Sequence, residues 1–401
     1  MKKLVMAAAV LGAFAGAAQA QTSVTLYGIA DGNVRFDHTN IGTLKSVGSG
    51  GESGSRWGLR GSEDLGGGLK ANFILEQGFD IGDNASPQGS IGGGASAGLG
   101  GTSTAPHTSS GSRIFSRVAT VGLAGAFGEV RFGRGYNPLF LVQATADPFG
   151  AGMLGQVSNV YVNNTIRNDN AIYYDTPRFS GFQLSGVYQF GESTTDSPAT
   201  TSTGAPATTG QRKRGNDRYG AGATYVNGPL YVGVGYEQIK SNLETYRQRT
   251  GDVAATWDFG VVKLHGIYWR TRNDNPVPTA VSLHESAWSA GITVPFGAWT
   301  FLGSYNRVTD HSTSNAGTNL GTPKANFFGL GARYSLSKRT ILYTSYGRFN
   351  LKNGPLGNPY QGYAGIADAS NSGLYNAGNL FSAGQANVNP YSYEFGIRHS
   401  F

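Results

Sequence analysis

The chain has 401 residues, of which 39% are apolar, with 62 Gly, 21 Tyr, 21 Phe and no Cys, and it carries a formal charge of +7. Without cysteine there is neither a disulfide framework nor a thiolate metal site, and a soluble two-domain protein of this length would need larger apolar clusters to fill its cores. Lys and Arg are scattered instead of gathered on a basic helix or a nucleic-acid module, so the positive balance does not point to nucleic acid.

The first predicted element, residues 1–20, is a leader. Lys2 and Lys3 form a positive start, Leu4 to Ala18 is an unbroken small and apolar stretch, and Ala18-Gln19-Ala20 is a cleavage signal. A retained anchor would need about 20 apolar residues and no such signal. The expected mature chain is Gln21–Phe401, one domain, and loss of the two lysines lowers its charge from +7 to +5. Beyond the leader no apolar run is long enough for a membrane-crossing helix.

From there the chain repeats one pattern: apolar at every second residue over about ten residues, then a turn signal. Ala71, Phe73, Leu75 and Phe79 oppose Lys70, Asn72 and Glu76. Phe182, Leu184, Tyr188 and Phe190 share a face, then Leu230, Val232, Val234 and Tyr236, then Val253, Ala255, Trp257 and Phe259. Trp288, Ala290, Ile292 and Val294 repeat it, as do Phe328, Leu330, Ala332, Tyr334 and Leu336. The last segment places Tyr391, Tyr393, Phe395, Ile397 and Phe401 on one parity, interrupted by His399, against Ser392, Glu394, Gly396, Arg398 and Ser400. One face can meet lipid and the other must meet water.

Seven short turns fall near Glu63–Gly68, Ala124–Gly128, Pro177–Gly181, Asn227–Pro229, Asp258–Gly260, Pro295–Gly297 and Ser337–Arg339. Eight long polar loops fall near Asp37–Gly54, Ile81–Ser112, Gly135–Thr165, Glu192–Asn216, Ser241–Gln248, Thr271–Leu283, Asp310–Lys324 and Leu351–Pro390. Together they separate sixteen strands. The fold class is therefore all-β, a 16-stranded antiparallel transmembrane barrel, large enough to hold an aqueous channel. Lipid tolerates no open sheet edge, so the loops belong to one closed domain and are not linkers.

No enzyme site emerges. The six His lack metal-ligand spacing, and neither a nucleophile elbow nor a phosphate-cradling loop occurs. No cofactor is called for. Arginine is the informative residue. Arg56 and Arg60 share one strand face, with Trp57 and Leu59 on the other. Arg117, Arg131, Arg134 and Arg167 follow on neighbouring segments. Arg facing lipid costs about 2–4 kcal/mol at the midplane, so these six must face the lumen or a membrane interface. Either they form a ring that selects ions or they are solvated rim residues; the ring is favoured for Arg56, Arg117 and Arg167. Arg131 and Arg134 have opposite parity, so a bulge must intervene if both face inward. The loop Gly135–Thr165 carries Leu139, Phe140, Leu141, Val142, Phe149, Met153 and Leu154, more apolar than its neighbours. It is expected to fold into the barrel, with Asp147 facing the arginines across the gap; the alternative is a subunit-contact loop.

Several stretches resemble the general porins of β-proteobacteria and Neisseria: Thr25-Leu26-Tyr27-Gly28, the run from Ser55 to Ala71, Phe127–Arg134, Ala171–Pro177, Ser335–Thr340 and Gly396–Phe401. The resemblance implies a homotrimer in the outer membrane, an inward-folded third outer loop, and wall arginines facing it, with Arg56, Arg117 and Arg167 at the matching positions. It also implies that Phe401 ends a barrel-assembly signal read by the assembly machinery. The expected partners are outer-membrane lipids and lipopolysaccharide outside, and small hydrophilic solutes and ions, anions preferred, inside. Two other functions fit the same fold. One is a channel specific for a sugar, nucleotide or aromatic acid, guided by Tyr27, Tyr161 and Tyr173. The other is a non-conducting barrel whose loops bind a partner.

Overall fold

The computed structural model describes residues 23–39, 42–82, 114–160, 165–191, 193–194, 214–215, 217–240, 247–273, 281–282, 284–311, 313–314, 324–352 and 389–401. The expected leader, Tyr161 and much of the long loops lie outside these residues.

Seventeen strand segments pair into one antiparallel sheet. Sixteen of them make the wall: β1 Ser23–Thr39, β2 Arg56–Gly66, β3 Leu69–Gly78, β4 Val118–Gly125, β5 Gly128–Tyr136, β6 Arg167–Asp175, β7 Phe182–Gln189 and β8 Arg218–Asn227, then β9 Leu230–Lys240, β10 Arg247–Asp258, β11 Lys263–Asn273, β12 His284–Phe296, β13 Trp299–Asp310, β14 Lys324–Ser335, β15 Thr340–Lys352 and β16 Tyr391–Ser400. Each pairs with its neighbour, and β1 pairs with β16 from Ile29↔Ser400 to His38↔Tyr391, which closes the barrel. At this seam Gly28 and Phe401 exchange backbone hydrogen bonds of 3.1 and 3.0 Å. A Cβ at Gly28 would stand 2.2 Å from the Phe401 ring, so only glycine lets the terminal aromatic lie across the joint.

The alternation sorts the two faces as expected. Val234, Val253, Tyr268 and Phe395 are about half exposed on the outer face, where a barrel meets hydrocarbon. Between them, Glu237, Thr250, Asp252, Thr271, Ser304 and Glu394 point to the other side and are buried. Seven short connections join strands at one end, as read from the turn signals.

The chain departs from the expected loop Asp37–Gly54. β1 continues to Thr39, and the seventeenth segment, Gly42–Ser49, pairs with it from Gly32↔Ser49 to Thr39↔Gly42. The free edge of an extended β1 has backbone groups to satisfy, and the returning chain satisfies them. Below Ser49 the chain leaves the wall as a wedge, Gly50–Ser55, before rejoining as β2. Asp31 holds that wedge by accepting from Glu52 N (3.0 Å) and Ser53 N (2.7 Å).

A bulge lies in the β5–β6 pairing, but it is not the one expected between Arg131 and Arg134, which pair with β4 in unbroken register from Gly122↔Arg131 to Ala119↔Arg134. The β5–β6 register runs Gly133↔Ala171 and then Gly135↔Asn168, so β6 spends an extra residue there. Gly133 takes φ +121° and Asn170 φ +48°. A Cβ at Gly133 would lie 2.1 Å from Ala119 O, so both backbone sign and space require glycine. Tyr173 braces the bulge, donating to Asn168 O (2.7 Å) and accepting from Gly135 N (2.8 Å).

Candidate functional site

Among the described residues, the third long loop supplies the largest departure from a plain barrel. Asn137 caps helix α1, Pro138–Ala146, by accepting from Leu139 N at 2.9 Å, with Pro138 in the first turn where its missing N–H costs nothing. The Asn137 amide also donates to Asn168 Oδ1 and Glu237 Oε1, both 2.9 Å, which ties the helix start to β6 and β9. α1 is buried on most sides, unlike a surface helix with one apolar stripe. It packs on the polar, small-residue face of β8–β11, opposite the outer apolar band. Close approach is possible because Gly233 and Gly235 face it; a Cβ there would meet Val142 and Leu139 at 2.8 Å.

Beyond α1 the loop continues along the same face. Arg333 on β14 donates to Phe149 O (3.1 Å), Ser304 on β13 donates to Gly155 O (2.8 Å), and Leu154 N reaches Ser345 Oγ (3.0 Å) on β15 and Glu394 Oε1 (3.2 Å) on β16. Met153 N bonds Gly51 O of the wedge. Leu139, Val142, Leu154 and Val157 join Trp269, Phe327 and Phe349 in one buried cluster. The apolar residues of this loop therefore pack against the wall, from β8 around to β16.

The wall left uncovered carries the arginines. Glu76 on β3 is their hub: Arg117 Nε lies 2.8 Å from Oε1 and Arg56 Nε 3.5 Å from Oε2. Tyr27 donates to the same carboxylate at 3.1 Å. Tyr136 joins the next pair, its hydroxyl accepting from Arg117 and Arg167 at 3.0 Å each. Arg167 also lies over the Tyr136 ring at 4.5 Å, and that ring stacks on Phe140 of α1 at 5.7 Å. Arg56, Arg117 and Arg167 thus form one arc, Arg56–Glu76–Arg117–Tyr136–Arg167, with a formal charge of +2 from three arginines and one glutamate. Arg60 shares this wall face further along β2, exposed, with its guanidinium 5.5 Å from the Tyr27 ring.

The other two arginines are committed to carboxylates. Arg131 pairs with Asp175 and Glu129, and Arg134 lies 3.4 Å from Asp169 while donating to Ser116 O at 2.6 Å. Asp147 does not face the arc across a gap. Its buried carboxylate turns into its own loop and accepts from Phe149 N (3.0 Å), Ala151 N (3.0 Å) and Val157 N (3.1 Å). The cause is the tight turn after α1, whose free N–H groups need an acceptor away from water. Burial pushes this carboxyl up to about 6, against the pull of the three donors and Arg333. Tyr27 and Tyr173 are likewise occupied, by Glu76 and by the bulge backbone. Glu76 and Tyr136, which join the arginines, carry no mark in the sequence that sets them apart from other strand residues.

A closed sixteen-stranded barrel with an apolar outside, a polar inside and a basic arc on its inner face defines a water-filled channel of the bacterial outer membrane. The model of the Gram-negative porin family matches residues 7–354, and the chain belongs to that family. It is 34% identical over 404 residues to an outer membrane porin protein of Bordetella pertussis, covering 87% of this chain and 94% of that one. It is 33% identical to outer membrane porin protein 32 of Delftia acidovorans over the whole of both chains. Among solved structures it resembles an anion-selective porin from Comamonas acidovorans, with a TM-score of 0.70 and 27% identity, covering 95% of this chain and 100% of that one. The protein is an outer-membrane porin.

Proposed function

We propose that this porin passes small hydrophilic anions in preference to cations, at a constriction formed between the arginine arc and the loop 137–160. The observation that carries this is the charge arrangement. Arg56, Arg117 and Arg167 share one carboxylate, so the arc keeps a net positive charge, while the facing loop has spent its Asp147 on its own backbone. Permeating anions then complete the balance. The anion-selective character of the Comamonas acidovorans porin supports the reading. Arg60 adds charge beside the arc, whereas Arg131 and Arg134 are paired with carboxylates, Arg134 with Asp169 at the β5–β6 bulge and Arg131 with Glu129 and Asp175 nearer the short turn. A channel specific for an aromatic or sugar ligand gains nothing from Tyr27 and Tyr173, whose hydroxyls are already bonded.

Residues 1–20 serve as the exported chain's leader, and the rest forms one barrel domain. The working unit is a homotrimer packed through outer apolar faces near the seam, where Leu26, Val34, Trp57 and Val121 are exposed. Phe401 closes the seam and is the end of the assembly signal. The test is the zero-current potential of the purified porin in a potassium chloride gradient. The sign for chloride preference is expected; the sign for potassium preference would overturn the reading.

A further inference from the structure

The loop that faces the arginine arc presents no charge of its own. In α1 the buried positions Leu139, Val142, Gln143 and Ala146 turn to the wall, so Leu141 and Thr145, one turn apart, stand on the opposite stripe with Ala144 beside them and face the lumen. Residues 137–160 hold a single charged side chain, and it is the buried Asp147. Leu141 is 46% exposed, whereas the other large apolar side chains of this loop, from Leu139 to Val160, are buried. Phe140, next to it in the helix, stacks on the Tyr136 ring. Arg167, which has no carboxylate partner among the described residues, lies over that same ring and donates to its hydroxyl. An exposed leucine thus stands in the aqueous slot beside the arc.

Two features separate Leu141 from the single apolar residues that any protein surface shows. First, the donors around it are spent. Thr145 donates its hydroxyl to Leu141 O at 2.7 Å, Gly150 N bonds Asp147 O at 3.0 Å, and Ala151 N bonds the Asp147 carboxylate at 3.0 Å. A hydrophilic group pressed against this lip loses water and gains no partner. Second, the two sides of the slot differ in kind. One carries three arginines that share a single glutamate, and the other exposes Leu141 among small residues, Ala144, Gly150 and Ala151.

We infer that the slot favours small organic monoanions that carry a compact apolar group beside the charge, such as short branched carboxylates, over equally small anions that carry a hydroxyl there. The carboxylate takes the arginine side, where forked donors suit its two oxygens. The apolar end passes along Leu141, and both surfaces shed water. A hydroxyl or a second charge at that end gives up hydration to a lip that returns nothing. Leu141 is then a specificity-determining residue: the arc reads the sign of the ion, and the leucine reads what else the ion carries. The inference rests on the constriction proposed above and deepens it.

The test compares isobutyrate with lactate, two carboxylates of nearly equal size, both ionised at neutral pH, in which a methyl group replaces a hydroxyl. Zero-current potentials of the purified porin, with chloride on one side and each anion in turn on the other as sodium salts, give their permeability ratio. Diffusion alone sets that ratio close to unity. The wild-type porin should favour isobutyrate by roughly two- to threefold, the factor for half-burying one additional methyl group. Leu141→Asn, similar in size and uncharged, should return the ratio to unity. A wild-type ratio at or below unity, a measurement that needs no variant to fold, would overturn the inference, and so would an undiminished ratio in Leu141→Asn. Chloride preference over potassium combined with a ratio at or below unity would overturn this inference alone; potassium preference would overturn the constriction reading beneath it as well.

Discussion

Replacing Arg56, Arg117 and Arg167 together by Ser removes three positive charges from the arc and leaves Glu76 behind, so its formal charge passes from +2 to −1. An ion passing about 6 Å away in a water-like medium feels roughly 0.7 kcal/mol from each charge, reduced to about 0.4 by a Debye length of about 10 Å in 0.1 M salt. Loss of three charges therefore moves anions and cations in opposite directions by about 1.1 kcal/mol each, which changes their permeability ratio by on the order of 50-fold. In 1 M salt, where the Debye length is about 3 Å, the same arithmetic leaves about threefold. The assay is the zero-current potential of the triple variant in potassium chloride gradients at low and high salt, after its heat-modifiable folded band has been verified. Adding Glu76→Gln should return part of the lost anion preference, because it removes the residual negative charge. A triple variant with the wild-type potential at low salt would show that selection happens elsewhere, through loop charges or size alone.

Three further outcomes are expected. Removing Leu139–Asn159 should raise single-channel conductance while the folded band persists, since the strand ladder is complete without the loop; unchanged conductance in a folded variant would place the loop outside the ion path. Deleting Phe401 should leave processed chain accumulating in the periplasm, measured by fractionation, because the seam loses both its ring over Gly28 and two backbone bonds. Asp147 has a folded pKa of about 6, above the unfolded carboxylate value of about 3.9. Its stabilising contribution is thus full below the unfolded value and is lost as pH rises through about 6, to the extent of about 3 kcal/mol. Hydrogen exchange at Phe149, Ala151 and Val157, corrected for intrinsic rates, should show protection falling over that range, and Asp147→Asn should abolish the dependence.

Much of the barrel is legible because a lipid-facing strand leaves a period-two signature that nothing else in the chain competes with. The same parity logic places a bulge between Arg131 and Arg134, whereas the extra residue lies in β6, opposite Arg134, where the sequence of β5 cannot reveal it. Legibility ends where long-range pairing decides the outcome. Gly42–Ser49 is polar and Gly-rich, and becomes a strand only because β1 presents an edge to it. Tyr136 reads as one more aromatic at a strand end, and its role depends on Arg117 and Arg167 arriving from two other segments. Asp147 misleads for a related reason: a lone acid in an apolar loop reads as a charge aimed at a partner. The turn after α1 supplies three backbone donors that local sequence does not advertise.

The joint between β1 and β16 has a consequence for biogenesis. Its ten paired positions connect residues more than three hundred apart in the chain, from Ile29↔Ser400 to His38↔Tyr391, so contacts that span almost the whole sequence are also the ones that abolish both free edges. Every partly formed sheet before that event exposes an open edge and an apolar face to its surroundings, the combination that invites aggregation. Contacts of such separation also form slowly, because the loop entropy must be lost before any bond is gained. Emergence from the export channel therefore cannot be coupled to stepwise folding. The unfolded chain must be escorted until its last strand is delivered, and the interval between export and closure becomes its most vulnerable period.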